Sequence, residues 1–210
     1  MTACRSPHDK DALTVEEAVA PAVGMVALLT TDRGEELCLL RHVSRRAATI
    51  QIYSSLQSGE SVRLDLADGT SLSAAVTSRH DSLATLAVHA EAPSPGVALD
   101  GKTLPPRLPR LDVGLPAQLR IAGDQAPATL CNISQGGAKI RAAGLSIGLK
   151  IGLLVGGLPP LFGRVRWMKD DAAGMSFYET VPLDVLAPWS AALGAQVNRA
   201  GKVIPFGGAS

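Results

Sequence analysis

Aromatic side chains make up only 3% of this 210-residue chain, which leaves few platforms for stacking a run of bases. Charge of one sign is missing too. The formal net charge is +1, so bulk electrostatic capture of DNA, RNA or an anionic membrane is not expected, and a bound anion would need a local arginine cluster. Three cysteines, Cys4, Cys38 and Cys131, are an odd number without CxxC spacing, which argues against a disulfide framework and a zinc site. Cys38 and Cys131 are expected as small buried strand residues. No apolar run approaches the roughly 20 residues that span a bilayer. The first ten residues are polar, unlike a signal peptide, so a soluble, cytoplasmic protein is expected.

Catalytic signatures are absent as well. There is no GxSxG, HExxH or GxxxxGK[ST], and His8, His42, His80 and His89 show no metal or triad pattern, so no enzyme is expected. Asp170-Asp171, between Lys169 and Ala172-Ala173-Gly174, suits a β-turn better than a metal site.

What the chain does contain is a segment written twice. Arg41-His42-Val43-Ser44-Arg45-Arg46-Ala47-Ala48-Thr49-Ile50 and Cys131-Asn132-Ile133-Ser134-Gln135-Gly136-Gly137-Ala138-Lys139-Ile140 share a strand-like opening and a serine at the same place. His42 and Asn132 stand 90 positions apart; Leu56 and Leu145, Gly59 and Gly148, Val76 and Val165, Asp81 and Asp170, and Val88 and Phe177 stand 89 apart. Self-similarity over this distance, with one single-residue gap, means two copies of one domain. With 46% hydrophobic residues, each copy of about 90 residues can hold its own core. The expected division is an N-terminal segment 1–22, a first barrel 23–92, a linker 93–110, a second barrel with a helix 111–193, and a flexible tail 194–210.

The pattern is mostly β. Val62, Leu64 and Leu66 alternate with polar neighbours up to an Asp68-Gly69 turn, and Leu72, Ala74 and Val76 resume the alternation as a hairpin. Leu111, Val113, Leu115, Ala117, Leu119 and Ile121 occupy every other position of a half-buried strand. Further strands are expected at 129–133, 138–142, 151–155, 162–168 and 174–178. Short strands punctuated by Gly and Pro favour a small antiparallel barrel for each copy, a mainly β fold. A helix is expected over 183–193 after Pro182, with Leu186, Trp189, Ser190 and Leu193 on one face and Pro188 in an early turn. Thr14 and Glu17 suggest a capping box for a short helix over 14–20.

Two stretches carry binding chemistry. Asn132-Ile133-Ser134-Gln135-Gly136-Gly137 sets two short hydrogen-bonding side chains on one side of a strand end. Its glycines permit positive φ and close approach of backbone to a ligand. The same stretch also reads as a strand-to-strand turn capped by its own Asn and Ser. Upstream, Pro105-Pro106-Arg107-Leu108-Pro109-Arg110 puts two guanidiniums on a proline-stiffened segment, and their planar forks suit phosphates and the O6/N7 edge of guanine.

With these residues in view, the sequence resembles the PilZ-domain family of bacterial cyclic-di-GMP receptors. That family carries RxxxR ahead of a six-stranded barrel, [DN]xSxxG about twenty residues later, then a hydrophobic-x-Trp strand and a Gly-hydrophobic-x-Phe strand. Asn132, Ser134 and Gly137 match the second motif, Val165-Arg166-Trp167 the third, and Gly174-Met175-Ser176-Phe177 the last. The first arginine of RxxxR falls on Pro106, with Arg107 beside it as the residue to take its place. The resemblance implies a non-catalytic cyclic-di-GMP receptor with ligand contacts from Arg107, Arg110, Asn132, Ser134, Gly136 and Gly137. It implies no metal or cofactor, an unidentified downstream protein as partner, and a role in motility or biofilm regulation. The first copy has His42 and Ala47 in place of the Asx and Gly, so it is expected to be degenerate. Its literal RxxxR, Arg41 to Arg45, lies on the position of the second motif and is read as coincidence; Arg41, Arg45 and Arg46 are expected to form a solvated edge or a partner contact. The alternative is a PilZ-fold adaptor that no longer binds the nucleotide and acts through protein contacts.

Overall fold

The computed structural model describes residues 24–93 and 108–200. The expected helix at 14–20, Cys4, most of the linker and the end of the tail lie outside them. Among the described residues, twelve strands and one helix follow in chain order. The first six are β1 (Met25–Thr31), β2 (Gly34–Val43), β3 (Ala47–Gln51), β4 (Ser61–Leu66), β5 (Thr70–His80) and β6 (Leu83–Pro93). The second six are β7 (Leu111–Ile121), β8 (Asp124–Ser134), β9 (Gly137–Arg141), β10 (Lys150–Leu154), β11 (Leu161–Lys169) and β12 (Ala172–Phe177), followed by α1 (Leu183–Ala200).

Each set of six closes into an antiparallel barrel, and the two strand orders are the same. The first runs β1-β2-β3-β6-β5-β4 and returns to β1; the second runs β7-β8-β9-β12-β11-β10 and returns to β7. The repeat extends to irregularities. The register shifts between Leu40 and His42 on β2 and between Leu130 and Asn132 on β8, and again between Val76 and Ser78 and between Val165 and Trp167. Bulges at matched places bend both barrels alike and re-aim the residues that follow them. Gly59 N–H donates to the Val76 carbonyl at 2.7 Å, and Gly148 N–H to that of Val165 at 2.9 Å. Asp81 and Asp170 both adopt positive φ in two-residue hairpin turns, which Asp tolerates better than most side chains. Asp170-Asp171 is therefore a turn, and no metal-holding group of acids, histidines or cysteines occurs among the described residues.

Alternation builds the interiors. On β7, Leu111, Ala117 and Leu119 are buried while Asp112, Gln118 and Arg120 are exposed. Leu29, Cys38, Leu40, Ile50, Leu64 and Leu86 fill the first barrel, and Leu119, Leu130, Ile133, Ile140, Leu153 and Val165 fill the second. Cys38 is fully buried, which pushes its thiol pKa well up, but Cys131 is only half-buried, short of the expectation for it. The reason is that Cys131 sits at the β8 irregularity, where the inward-outward alternation breaks.

Leu28 and Leu37 break the division of labour: they belong to the first barrel's strands yet pack into the second barrel's core. The helix α1 makes this possible. Leu186, Ala187 and Trp189 are buried in that core, and the Ser190 hydroxyl accepts the Leu37 N–H at 3.0 Å while donating to the Ala187 carbonyl at 2.8 Å. Because α1 covers its outer face, β2 reads as the continuous run Leu37-Cys38-Leu39-Leu40 instead of an alternation. The helix is also longer than expected: residues 194–200, assigned to the tail, continue it, and Pro188 sits in its second turn on the exposed side.

Candidate functional site

The turn at the heart of the repeated segment is a two-residue hairpin loop, Gln135-Gly136, between the paired ends Ser134 and Gly137. Several bonds pin it. The Ser134 hydroxyl donates to the Gly137 carbonyl at 3.3 Å, Gln135 Nε2 donates to the Val181 carbonyl at 3.0 Å, and Val181 N–H returns to the Gln135 carbonyl at 2.8 Å. Ser134 is only 3% exposed, so its hydroxyl serves the turn. In the first barrel, the Ser44 hydroxyl makes the same bond to the Ala47 carbonyl at 3.2 Å. A bond made in both copies belongs to the barrel.

The glycines depart from expectation, since neither Gly136 nor Gly137 has positive φ. A Cβ on Gly137 would lie 2.3 Å from the Met175 carbonyl oxygen, so the bare Cα lets β9 and β12 approach closely. A Cβ added to Gly136 would lie 3.4 Å from Leu108 Cδ1, so Leu108 packs over the turn. The turn thereby receives the arginine segment. Arg110, two residues beyond Leu108, donates from Nη1 to Asn132 Oδ1 at 3.4 Å. The structure thus brings together Arg110, Asn132 and the Gly136 turn. Asn132 reaches the outer surface and Ser134 does not, so the two do not act as one outward pair. Arg107 lies outside the described residues.

Sequence reasoning left out a neighbour of Asn132, Lys139. Strand register sets Asn132 opposite Lys139, Lys139 opposite Gly174, and Gly174 opposite Trp167. These four form one cross-strand row on the outside of the barrel, with Asp112 opposite Asn132 at its far end. Trp167 is 41% exposed, and its indole lies on the bare Cα of Gly174, where a Cβ would come within 2.1 Å of the ring. Lys139 is half-buried and forms no ion pair among the described residues. Trp167 and Gly174 were visible as motif letters, but no signal in the linear sequence placed Lys139 between them and Asn132.

The N-terminal barrel touches the same region through Glu35, whose carboxylate accepts the Asp112 N–H at 3.4 Å. Burial, with Asp112 adding repulsion, raises the Glu35 pKa, and the bond from the Asp112 amide pulls the other way. In the first copy, Arg41 bonds along the sheet to Gln51 at 3.2 Å, and Arg45 and Arg46 are exposed at the β2–β3 turn. All three are exposed, as a solvated edge or a partner contact alike requires.

Residues 106–187 match the model of the PilZ domain. The C-terminal barrel is a PilZ domain. The match takes in Arg107, Arg110 and the whole Asn132 turn, and ends inside α1. The first barrel lies outside it and is PilZ-like by its shared strand order and bulges. No curated protein matches the chain. Among solved structures, the Bacillus subtilis inhibitor of motility MotI/DgrA is similar at 17% identity over 84% of this chain and 98% of its own, with a TM-score of 0.35. Borreliella burgdorferi PlzA, solved in complex with c-di-GMP, is similar at 14% identity over 82% and 88%, with a TM-score of 0.35. The Klebsiella MrkH–c-di-GMP complex follows at 15% identity over 84% and 89%, with a TM-score of 0.34. At such scores the PilZ assignment rests on the family match.

Proposed function

We propose that this protein is a non-catalytic receptor for cyclic-di-GMP, with the nucleotide held on the outside of the PilZ barrel. The observation that carries the reading is the Arg110–Asn132 hydrogen bond, which sets a guanidinium fork and an amide at the mouth of the Gly136 turn. Arg110 and Arg107 are the groups for phosphate oxygens and guanine edges, because a guanidinium donates two parallel hydrogen bonds to either. Asn132 supplies a donor and an acceptor; Ser134, Gly136 and Gly137 hold the turn that presents it. No covalent chemistry is required of any residue. Capture of the ligand by Arg110 acts on the start of β7, which Glu35 of the first barrel holds at Asp112. A protein partner reads that change. No helix among the described residues is long and apolar enough to cross a membrane.

Calorimetry and thermal melting with cyclic-di-GMP test the proposal directly. A ligand that binds only the folded state must raise its melting temperature. Heat of binding and a rise in melting temperature are expected for the intact chain and for Arg45→Ala, with neither for Arg110→Ala. Absence of both, at concentrations far above micromolar, rejects the receptor. Pro106 in the place of the first motif arginine favours the second reading, an adaptor that acts by protein contacts alone, and that result would leave it standing.

A further inference from the structure

The two barrels are an internal control for each other. A residue that the fold itself demands should recur at the matched position of both copies, and Ser44 and Ser134 do. The outer row of the second barrel does not recur. Where that barrel has Asn132, Lys139, Gly174 and Trp167, the same register in the first barrel joins His42 to Thr49, Thr49 to Thr85, and Thr85 to Ser78. All four positions differ, although the strands, pairings and flanking bulges are the same. The barrel therefore needs neither a lysine nor a tryptophan there, and both carry a cost. An ordered, exposed indole leaves apolar surface in water, and Gly174 beneath it weakens a strand.

The geometry points to Lys139 and Trp167 as two further ligand-binding residues of the site proposed above, one a counter-charge for a phosphate and the other a stacking face for a base. This rests on the receptor reading. Directly opposed side chains on neighbouring strands have Cβ atoms roughly 5 Å apart, so the Lys139 ammonium and the Asn132 amide reach a common ligand atom. The indole over Gly174 lies two strand spacings from Asn132, about 10 Å, with Lys139 between. At the other end, where Asp112 closes the row, Arg110 bonds to Asn132. Cation, amide, cation and ring thus succeed one another along one line. A base on the ring brings its phosphate to Lys139 and the rest of the ligand to Asn132 and Arg110. The bare Cα of Gly174 matters because it lets the indole lie down on the sheet and keeps its outer face free.

The test uses the full chain, cyclic-di-GMP, and the two tryptophans as separate reporters. Trp189 is 7% exposed with its N–H donated to the Gly156 carbonyl, so iodide quenching reads Trp167. Saturating nucleotide is expected to protect Trp167 from iodide. Lys139→Gln and Trp167→Ala should each weaken calorimetric binding about tenfold or more, with melting temperatures of the unliganded proteins little changed. Trp167→Phe, which keeps a ring, should lose less than Trp167→Ala and guards against a folding artefact. Binding of normal affinity in Lys139→Gln and Trp167→Ala, with iodide access to Trp167 of the unaltered chain unchanged by ligand, overturns the inference and leaves the receptor reading intact. No binding by the unaltered chain overturns both.

Discussion

At the scale of single residues, the two copies separate groups that build a barrel from groups spare to it. Gly137 illustrates the difficulty, because its motif letter suggests a ligand while its surroundings show a packing limit. Gly137→Ala would drive a Cβ into the Met175 carbonyl and is expected to destabilise by about 1–3 kcal/mol in urea unfolding, as overpacking does. Ala47→Gly at the matched position should cost no more than about 1 kcal/mol, the entropy of a strand glycine. Glu36 makes a second case. It is 5% exposed, its Oε1 accepts the Ser54 hydroxyl at 2.7 Å, and its Oε2 has no partner. Burial raises its pKa, with Ser54 and Arg33 opposing. The folded state thus binds a proton more readily than the unfolded one, so stability falls as pH rises from the ordinary carboxylate range through the raised folded value. Glu36→Gln should flatten that slope in pH-dependent melting curves and melt higher than the parent at neutral pH.

At the scale of elements, strands were easier to read than their tasks. The alternation on β7 and the Asp68-Gly69 hairpin gave correct strands because side-chain direction on a strand has period two. The apolar runs of β1 and β2 should have signalled burial on both faces, since an outward Leu28 or Leu37 has no purpose in an isolated barrel. Helix α1 supplies the cover. Its most specific contact is the buried Ser190 hydroxyl on the Leu37 amide, and Ser190→Ala would leave that N–H without an acceptor. A loss of about 1–3 kcal/mol is expected in chemical denaturation. Ser190→Thr, which keeps the hydroxyl, should lose less.

At the scale of the whole molecule, two barrels share one core boundary. Leu28 and Leu37 reach into the second barrel's core, and Glu35 holds the Asp112 amide. Unfolding in urea should therefore follow a single transition, with Trp189 fluorescence and far-UV circular dichroism coinciding. Two resolved transitions would show that the barrels melt independently. The seam also ties the first barrel to the start of β7, the strand that follows Arg110.

By itself the sequence determined that there are two copies of one β domain, which copy kept Asn132, and that two arginines precede it. Those are properties of order along the chain: repeats, alternation and spacing survive without knowledge of neighbours. Tertiary structure alone decided that Lys139 stands beside Asn132 with Trp167 in the same row, that Gly137 answers to Met175, and that Leu37 answers to Ser190. In each case the partners are distant in the chain and meet only through strand register or helix docking. A linear pattern shows which face a residue takes, and only the closed barrel shows what stands next to it on that face.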